Sequence, residues 1–497
     1  MNKRIKAYFE KVKNDLVVDR LNAIEWVVLG LVLLLITVSL FYGDNLGMFL
    51  TYFWVNDSFL HSASIRFLGN NQLPYGIVQQ LFGSFWTFPV NLIHLIFDFD
   101  VACVPAVIWY KLSMSFIMTC CMKEMLKLAD ILEIDKERRK WMLILLCSSI
   151  LVALPVFHIA QTDILYAYFS LVGMRYYFKE DTKRFILFFA LAISCKVIAL
   201  IVFIPLILLR EKRILYIFRD SILGVAILFI ERIWYRLIDK IDMLITGRAA
   251  SITLQKTEIA DDVAITTEKT LNQVNTDFAY HFFNKMLFFE FPAIRKGYVA
   301  SVMVFVFALL CIWCYVQKKD DIKIFRHNSI YAMAVAWMIF FINASPSPYW
   351  IVAMFPSWFL LIFMNHECIK TNLLLHNVFT LSMFLVYLIN TYWVYGGTTN
   401  LDYLLLKGLI KVEHTSEDGP YVARYLNNLG LDSRMNIIVA ICLASAVALI
   451  AINHNKIRVD DGLDTTSERK LMHGFAIWQI GILAVWYAVN VWVVQRW

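Results

Sequence analysis

The sequence predicts an all-α polytopic membrane protein, and three of its features point to this fold class. Of its 497 residues, 60% are hydrophobic and only 17% are charged, whereas an ordinary soluble domain has about 25% charged residues. The mean hydropathy is +0.62. Apolar stretches recur from residue 24 to residue 494, and because a spanning helix needs roughly 20 apolar residues, the pattern predicts about 13 membrane segments.

The basic residues lie mostly between the apolar stretches, as the positive-inside rule describes for cytoplasmic loops. The net charge of +7 therefore indicates membrane lipids, and no nucleic acid, as the partner of these residues. The nine cysteines lie in or beside apolar stretches; they are expected to be small core residues, with no disulfide framework and no metal site. Residues 1–23 predict a charged amphipathic helix on the cytoplasmic face.

Alternation of basic and neutral loops sets the order of the spans. A first span at 24–42 leads outward to a first outside loop at 43–100, where turn-rich sequence and tryptophans predict short interfacial helices. Two further outside loops are predicted at 238–297 and 396–434, and the C-terminus is expected outside. The remaining single spans are predicted at 101–127, 141–160, 162–178, 214–232, 298–316, 329–343, 350–364, 372–395, 435–452 and 474–494.

The stretch 185–209, FILFFALAISCKVIALIVFIPLILL, has KR before it and REKR after it. A single crossing would put one of these basic clusters outside. A short re-entrant-like helix pair that turns near Ser194–Lys196 keeps both inside and carries Lys196 at its tip. Such a turn at membrane depth is tolerated only where it faces protein or a water-filled cavity.

Charges at membrane depth are rare because each costs about 2.5–3.5 kcal/mol on insertion scales. The predicted topology brings four of them to the outer half of the membrane, and two acids with two cations there suggest a site for an anionic, lipid-bound substrate. They are Asp44, Lys111, Asp163 and Lys196.

Structural interpretations of these charges stay open. Asp44 suits a helix end, Lys111 suits a buried ion pair or a side chain that reaches the interface, and Asp163 suits the N-cap of the next helix. Lys196 has the least structural purpose, because it is a cation at a re-entrant tip.

Other polar residues receive structural interpretations. His158 is expected to be a buried histidine whose hydrogen bonds are satisfied. The group Glu231, Arg232 and Arg236 is expected to form a solvated helix end.

Four motifs follow one another over residues 40–210. They are YGDNLGMFLTYFW with the later QLPYG, a lysine in WYKLSM, the turn AQTD before ILYAYFSL, and FALAISCKVIALIVFIPLILL. In this order they resemble the GT-C superfamily of glycosyltransferases that use polyprenyl-phosphate sugars, and most closely the bacterial relatives of the second mannosyltransferase of GPI-anchor synthesis.

Two departures from the family pattern leave the substrate open. The glycine of the family's Gly-Gln-x-Asp turn is Ala160 here, and SPSPYW stands where close relatives have His-Glu-Arg-Tyr.

The resemblance implies a GT-C-like bundle with a catalytic membrane module at 24–237 and a C-terminal variable module at 298–497. It further implies transfer of a sugar, such as the hexose mannose, from a polyprenyl-phosphate donor to a glycan, lipid or polymer acceptor. The reaction is expected on the outer face of a bacterial plasma membrane, by inverting displacement.

The residue roles implied by the resemblance follow the charges of the reaction. Asp44 is the expected general base, and Lys196, with Lys111 second, is expected to bind the donor phosphate. No cofactor is required, although a divalent metal is possible if Asp44 and Asp163 meet.

The other candidates concern the acceptor and the sugar. Asp163 and Gln161 are expected to orient the acceptor or sugar hydroxyls, or to hold Lys196. Tyr349 and Trp350 either stack on a sugar face or form a structural corner.

Two other classes of protein remain alternatives. A lipid-linked sugar flippase or transporter also lines its path with membrane charges. An envelope polysaccharide polymerase or ligase also has many spans and a large outside loop.

Overall fold

The computed structural model describes residues 6–7, 10, 20–40, 43–70, 75–247, 288–290, 299–343, 347–390, 426, 428–454 and 465–496. Most of the predicted amphipathic helix at 1–23 lies outside the described residues. The same holds for most of the predicted loops at 238–297 and 396–434.

Almost all described residues are helical. The helices of the first half are α1 (Arg20–Ser39), α2 (Gly43–Ser62), α3 (Ile77–Phe97), α4 (Val104–Ile131), α5 (Lys136–Ser148), α6 (Ile150–Ala153), α7 (Ile164–Phe178), α8 (Thr182–Cys195), α9 (Leu200–Arg210) and α10 (Ile214–Thr246). Those of the second half are α11 (Val302–Val316), α12 (Ile322–Asn343), α13 (Phe355–Met364), α14 (Ile369–Asn390), α15 (Met435–Ile452) and α16 (Thr465–Arg496).

One short antiparallel pairing joins strands β1 (Phe288–Glu290) and β2 (Val299–Ser301). Within the described residues, the prediction of an all-helical fold therefore holds except for this β-strand pair. Ser301 at the end of β2 caps α11 by accepting a hydrogen bond from the Val304 amide at 3.4 Å.

Four described helices are long and apolar enough to cross a membrane. They are Val104–Ile131, Ile369–Ile389, Met435–Ile452 and Glu468–Asn490, and a fifth span is possible if Lys136–Ser148 and Ile150–His158, bent by 67°, count as one. Helices of this length and composition support a helical membrane protein. The total of about 13 segments stays a prediction.

The chain doubles back between α8 and α9, as the sequence predicts. The rings of Phe185 in α8 and Phe203 in α9 lie 5.4 Å apart, and Arg210 at the end of α9 donates to the Glu180 carbonyl at 3.1 Å. Arg210 also donates to the hydroxyl of Thr182, the first residue of α8. A continuous helix would separate Thr182 and Arg210 by about 40 Å, so these contacts require a hairpin.

Loops that the sequence assigns to the cytoplasmic side contact one another at one end of the helix bundle. Four ion pairs, with N–O distances from 2.5 to 3.1 Å, join loops that are far apart in sequence: Glu133–Lys323, Glu137–Arg469, Arg138–Glu468 and Glu180–Lys319. The alternation predicted for these loops is thus consistent with the way the chain folds.

The predicted first outside loop differs from expectation, because its helices α2 and α3 have 20 and 21 residues rather than being short. They pack side by side. Asn56 of α2 donates to the Ser84 carbonyl at 2.8 Å and to Asn91 at 3.2 Å in α3. These buried hydrogen bonds join two helices of about 20 residues each, and hydropathy alone does not indicate such a pairing.

Helix α10 is also longer than expected, since it continues past the predicted span end at 232 and past the predicted loop boundary at 238. It ends at Gly247, whose left-handed φ of 64° suits a glycine C-cap. The extension is stabilised by contacts with the first loop that are described below.

A cross-linking experiment tests the hairpin. In a chain with its nine cysteines replaced, a short bis-maleimide should join Thr182→Cys to Arg210→Cys, because the hairpin brings α8's start to α9's end. The measurement is the mobility shift on a denaturing gel. Ser194→Cys with Arg210→Cys is the control, which should stay unlinked because the length of α9, about 16 Å, separates the two positions. Equal cross-linking of the two pairs would contradict the hairpin.

Candidate functional site

The helix break at Lys196 forms the tip of the hairpin. Helix α8 ends at Cys195, Lys196 is extended at φ −153° and ψ 116°, and a 3₁₀ turn at Val197–Ala199 leads into α9. The Lys196 amide still donates to the Ala192 carbonyl at 2.9 Å, so the last turn of α8 is complete. The break therefore leaves the Lys196 side chain at the end of the hairpin.

The Lys196 ammonium forms a short ion pair with Asp163. The distance from Nζ to Oδ1 is 2.7 Å, and the side chains are 19% and 3% exposed. The ammonium also lies over the Trp350 ring, 3.9 Å from its centroid, where a desolvated cation–π contact contributes about 2 kcal/mol. Three segments that are distant in sequence meet at this ammonium.

Asp163 stands at the N-cap position of α7, yet its side chain makes no capping hydrogen bond. The interpretation of Asp163 as a helix cap is therefore wrong, and its carboxylate holds Lys196 instead. This agrees with one of the two roles expected for Asp163.

The turn before Asp163 has an unusual backbone. Ala160 adopts the left-handed conformation at φ 50°, which costs a residue with a Cβ about 1–2 kcal/mol and which glycine adopts freely. The glycine of the family motif would occupy this position, so the motif's spacing fits the turn's geometry. Gln161 and Thr162 are buried in the same turn.

Helix α2 begins against this turn. Asn45 donates to the carbonyl of His158 at 3.0 Å, and both residues are buried. Asp44 precedes Asn45 in the first turn of α2, so its main chain lies one residue from the contact with His158, which stands five residues before Asp163. The Asp44 side chain lies outside the described part of the structure, and its role as general base stays a prediction.

Lys111 is fully buried in α4. Its ammonium donates to the carbonyls of Ile36 at 3.2 Å and Leu40 at 2.5 Å, at the C-terminal end of α1. A cation there satisfies free carbonyls and complements the helix dipole. Both bonds are structural, and its role as a phosphate ligand stays a prediction.

Aromatic residues surround the ion pair. The Tyr52 phenol lies beside Thr162 and near Asp163, and the Tyr75 phenol lies near Tyr52, Tyr349 and Asp163. Tyr349 is half-buried. This proximity brings Tyr349 into the same region as Asp163 and Lys196, while its neighbour Trp350 contacts Lys196 directly.

Two hydrogen bonds fix the surroundings of this region. The Tyr166 hydroxyl donates to the Trp350 carbonyl at 2.8 Å, which anchors the 3₁₀ turn at Pro348–Ala353 to α7. The Gln79 amide donates to the Thr162 hydroxyl at 3.2 Å, which ties α3 to the turn next to Asp163.

Glu231 is the residue that sequence reasoning missed. It was expected in a solvated helix end with Arg232 and Arg236; the two arginines are exposed, but Glu231 is only 6% exposed. Its carboxylate accepts from the Ile77 amide at 2.7 Å, the Tyr235 hydroxyl at 2.6 Å and the Ser194 hydroxyl at 2.9 Å. The expectation was wrong because the first loop and the hairpin tip cover this face of α10.

A helical spacing in the sequence marks the covered face of α10. Its buried residues fall within one narrow stripe at helical periodicity, and three of them are acidic. The stripe comprises Asp220, Gly224, Glu231, Ile238 and Asp242. Acids that repeat in phase with a small residue and an apolar one indicate a packed face, so this pattern could have revealed Glu231.

Asp242 binds the first loop on the same stripe, nearer the C-terminal end of α10. It accepts from the Ile65 amide at 2.9 Å and pairs with Arg66 at 2.9 Å, and Arg66 and Asp242 are about as buried as Glu231. Trp234 donates to the Leu68 carbonyl at 2.8 Å. The first loop is thus fixed along the second half of α10.

Comparison with known protein families, with curated proteins and with solved structures found no match. Among the described residues, no group of three or more His, Cys, Asp or Glu side chains has the arrangement of a metal site. The assignment to the GT-C superfamily therefore stays a prediction from the motifs.

Substitution of Gly76, the residue before α3, tests the contact between the first loop and the hairpin tip. A methyl group at Gly76 would lie 2.1 Å from the Ser194 carbonyl oxygen and 3.2 Å from a Glu231 oxygen. Gly76→Ala should therefore lower the free energy of unfolding by about 1–3 kcal/mol, as overpacking does. Thermal unfolding in detergent measures the change. Gly47→Ala in α2 is the control, because nothing lies within 4 Å of its added methyl; equal losses in both variants would refute the tight contact.

Substitution of Ala160 tests the left-handed turn. Ala160→Gly should leave the free energy of unfolding unchanged or raise it by up to about 1 kcal/mol, because relief of the backbone penalty outweighs the greater freedom of the unfolded chain. The same exchange inside α7, Ala167→Gly, should lower it by about 1 kcal/mol or more. Chemical denaturation of both variants measures the difference, and a similar loss in the two would show that Ala160 is unstrained.

Proposed function

We propose that this protein is a membrane glycosyltransferase of the GT-C type that transfers a sugar, such as the hexose mannose, from a polyprenyl-phosphate donor to an acceptor. One observation carries the proposal: Lys196 Nζ lies 2.7 Å from Asp163 and 3.9 Å from the Trp350 ring centroid. This contact unites three segments that are distant in sequence, and two of them, around Asp163 and Lys196, carry motifs of the resemblance.

The geometry supports a role for Lys196 at the donor phosphate. The ammonium is anchored on one side by Asp163, while its side chain keeps 19% of its surface exposed. A fixed cation in a largely dry site stabilises the negative charge that develops on a leaving phosphate without reorganising during the reaction. The Asp163 carboxylate holds the ammonium for this task.

The general base must take a proton from the acceptor hydroxyl as it attacks the anomeric carbon. Asp44 is the proposed base, since it lies in the first turn of α2, next to Asn45, which contacts His158 just before the turn that ends at Asp163. Such a base typically contributes 10²–10⁴-fold to the rate. Base and leaving phosphate on opposite sides of the sugar give inversion at the anomeric carbon.

Sugar and acceptor contacts are proposed for the polar and aromatic residues around the pair. Gln161, in the buried turn, orients hydroxyls, and Tyr349 stacks on a sugar face. No cofactor is proposed. Lys111 holds the end of α1 just before the proposed base, which is a supporting role beside its predicted one at the phosphate.

The proposed setting is a bacterial plasma membrane with about 13 membrane segments, the N-terminus in the cytoplasm and the reaction on the outer face. The ion-paired loops at the opposite end of the bundle support this orientation, because they are the basic loops that the positive-inside rule assigns to the cytoplasm.

Transfer of radiolabelled sugar by the purified protein in detergent tests the function. Supplied with polyprenyl-phosphate mannose or glucose and a lipid or glycan acceptor, the wild-type chain should form product. Lys196→Met and Asp44→Asn should each lower the rate by at least about 100-fold, and Asp44→Asn should still bind the donor. Lys183→Met, an exposed lysine at the other end of the same hairpin, is the matched control and should stay active.

The same assay separates the alternatives. A flippase needs a sealed vesicle and makes no product in detergent, and a polymerase or ligase would require a diphosphate-linked donor. Full activity of Lys196→Met would remove this lysine from the site, and loss of donor binding alone in Asp44→Asn would overturn its role as base.

A further inference from the structure

The carboxylate of Glu231 joins two segments that reach the Asp163–Lys196 pair. These segments, which we call the two arms, are the tip of the α8–α9 hairpin and the start of α3. Its Oε1 atom accepts from the Ile77 amide and the Tyr235 hydroxyl, and its Oε2 atom accepts from the Ser194 hydroxyl. One oxygen therefore faces the start of α3, and the other faces the hairpin tip. A carboxylate that is 6% exposed must have its acceptor sites filled to be stable as an anion.

The first arm is the hairpin tip. Ser194 lies two residues before Lys196, in the last turn of α8, and the chain breaks directly after that turn. Because Lys196 is extended between the end of α8 and the 3₁₀ turn at Val197–Ala199, the orientation of its side chain depends on how the end of α8 is held. The Ser194–Glu231 bond ties that end to α10 at 2.9 Å.

The second arm is α3. Glu231 accepts from the amide of Ile77, the first residue of α3, where an anion complements the helix dipole. Two residues later, Gln79 donates to Thr162, which directly precedes Asp163. The carboxylate thus fixes the position of α3 relative to the hairpin tip. Through Gln79 it also fixes the position of the turn that carries Asp163.

The close approach at Gly76 shows how tightly the two arms are joined. A Cβ atom there would lie 2.1 Å from the Ser194 carbonyl oxygen, so the chain before α3 lies directly on the tip. A shift of the hairpin tip toward α3 would therefore displace Ser194 and Ile77, both of which donate hydrogen bonds to Glu231.

We propose that Glu231 is a positioning residue for the Lys196 ammonium, acting through Ser194 on one side and through α3 on the other. The inference rests on the proposed function for its kinetic consequence, but the positioning itself concerns only this chain. A displacement of about 1 Å at a reacting group costs about 100-fold in rate, so loss of the Glu231 bonds should lower turnover rather than substrate affinity.

Three single substitutions test the proposal. Glu231→Ala removes the hydrogen bonds to both arms, and Ser194→Ala removes only the hydrogen bond to the hairpin tip. Tyr235→Phe removes the other hydroxyl that donates to Glu231. Tyr235 is the matched control, because its hydroxyl also contacts the Tyr75 carbonyl and Gln80 at 3.3 Å but touches nothing in the hairpin. A purely structural role for Glu231 would make Tyr235→Phe at least as harmful as Ser194→Ala.

The kinetic measurement is kcat and KM for the donor, with each variant's melting temperature recorded. Glu231→Ala should lower kcat about 100-fold and Ser194→Ala about 10-fold, with KM for the donor changed less than threefold. Tyr235→Phe should keep kcat within twofold of wild type. Equal kcat losses in Ser194→Ala and Tyr235→Phe would overturn the proposal, as would an unchanged kcat in Ser194→Ala.

A second readout does not require the proposed activity. Acetylation of Lys196 by an amine-reactive ester, followed by peptide mass spectrometry, should be slow in wild type, because the ammonium is paired with Asp163. Ser194→Ala and Glu231→Ala should raise the acetylation rate several-fold, and Tyr235→Phe should not. Should wild type fail to transfer sugar, the proposed function falls while this rate still decides the role of Glu231; an unchanged rate in a folded Ser194→Ala refutes it.

Discussion

The contact between Asp163 and Lys196 organises this structure, because it pairs two oppositely charged side chains that are only 3% and 19% exposed. Removal of one partner of a buried pair leaves an uncompensated charge and typically costs 3–5 kcal/mol. The pair requires a broken helix at Lys196 and a tight turn at Asp163. Each of these backbone features interrupts regular helical hydrogen bonding. Both bring the side chains of Asp163 and Lys196 into the same 2.7 Å contact.

The surroundings of the pair are held by hydrogen bonds between segments that are distant in sequence. Tyr166 fixes the Trp350 corner, Gln79 fixes Thr162, and Glu231 joins the hairpin tip to α3. Buried hydrogen bonds of this kind limit how far the joined segments move relative to one another. The region around Lys196 is therefore a preorganised one, which suits a site where charge develops during a reaction.

The sequence predicted those features that follow from local composition. The hairpin at Lys196 followed from basic residues on both sides of one apolar run, and α15 begins and ends at the predicted residues 435 and 452. Alternation predicted that Asp163 and Lys196 lie in the same half of the membrane, and the structure brings them into contact. These predictions concern where a segment lies relative to the membrane, which hydropathy and charge determine.

Features that depend on side-to-side packing were not predictable in the same way. Glu231 and Arg232 are adjacent in sequence and equally polar, yet one is buried and the other exposed, because they lie on different faces of α10 and the first loop and the hairpin tip cover only one of these faces. Lys111 shows the same limit. Its position within an apolar span signalled a partner, but the partners are the main-chain carbonyls of Ile36 and Leu40, which leave no trace in the sequence.

The length of α10 has a consequence for access to the pair. Its 33 residues make a rod about 50 Å long, and even at a tilt of 40° this rod projects about 38 Å, against a hydrocarbon thickness of about 30 Å. The sequence predicts a span at 214–232 within this helix, and such a span, starting beside the ion-paired loops, would bring the other end of α10 out among the head groups. The segment bound along its last turns, with Arg66 and Leu68, would then stand at the water boundary. Under the proposed function, a hydrophilic acceptor would approach there from solution while the isoprenoid chain of the donor stays dissolved in the lipid.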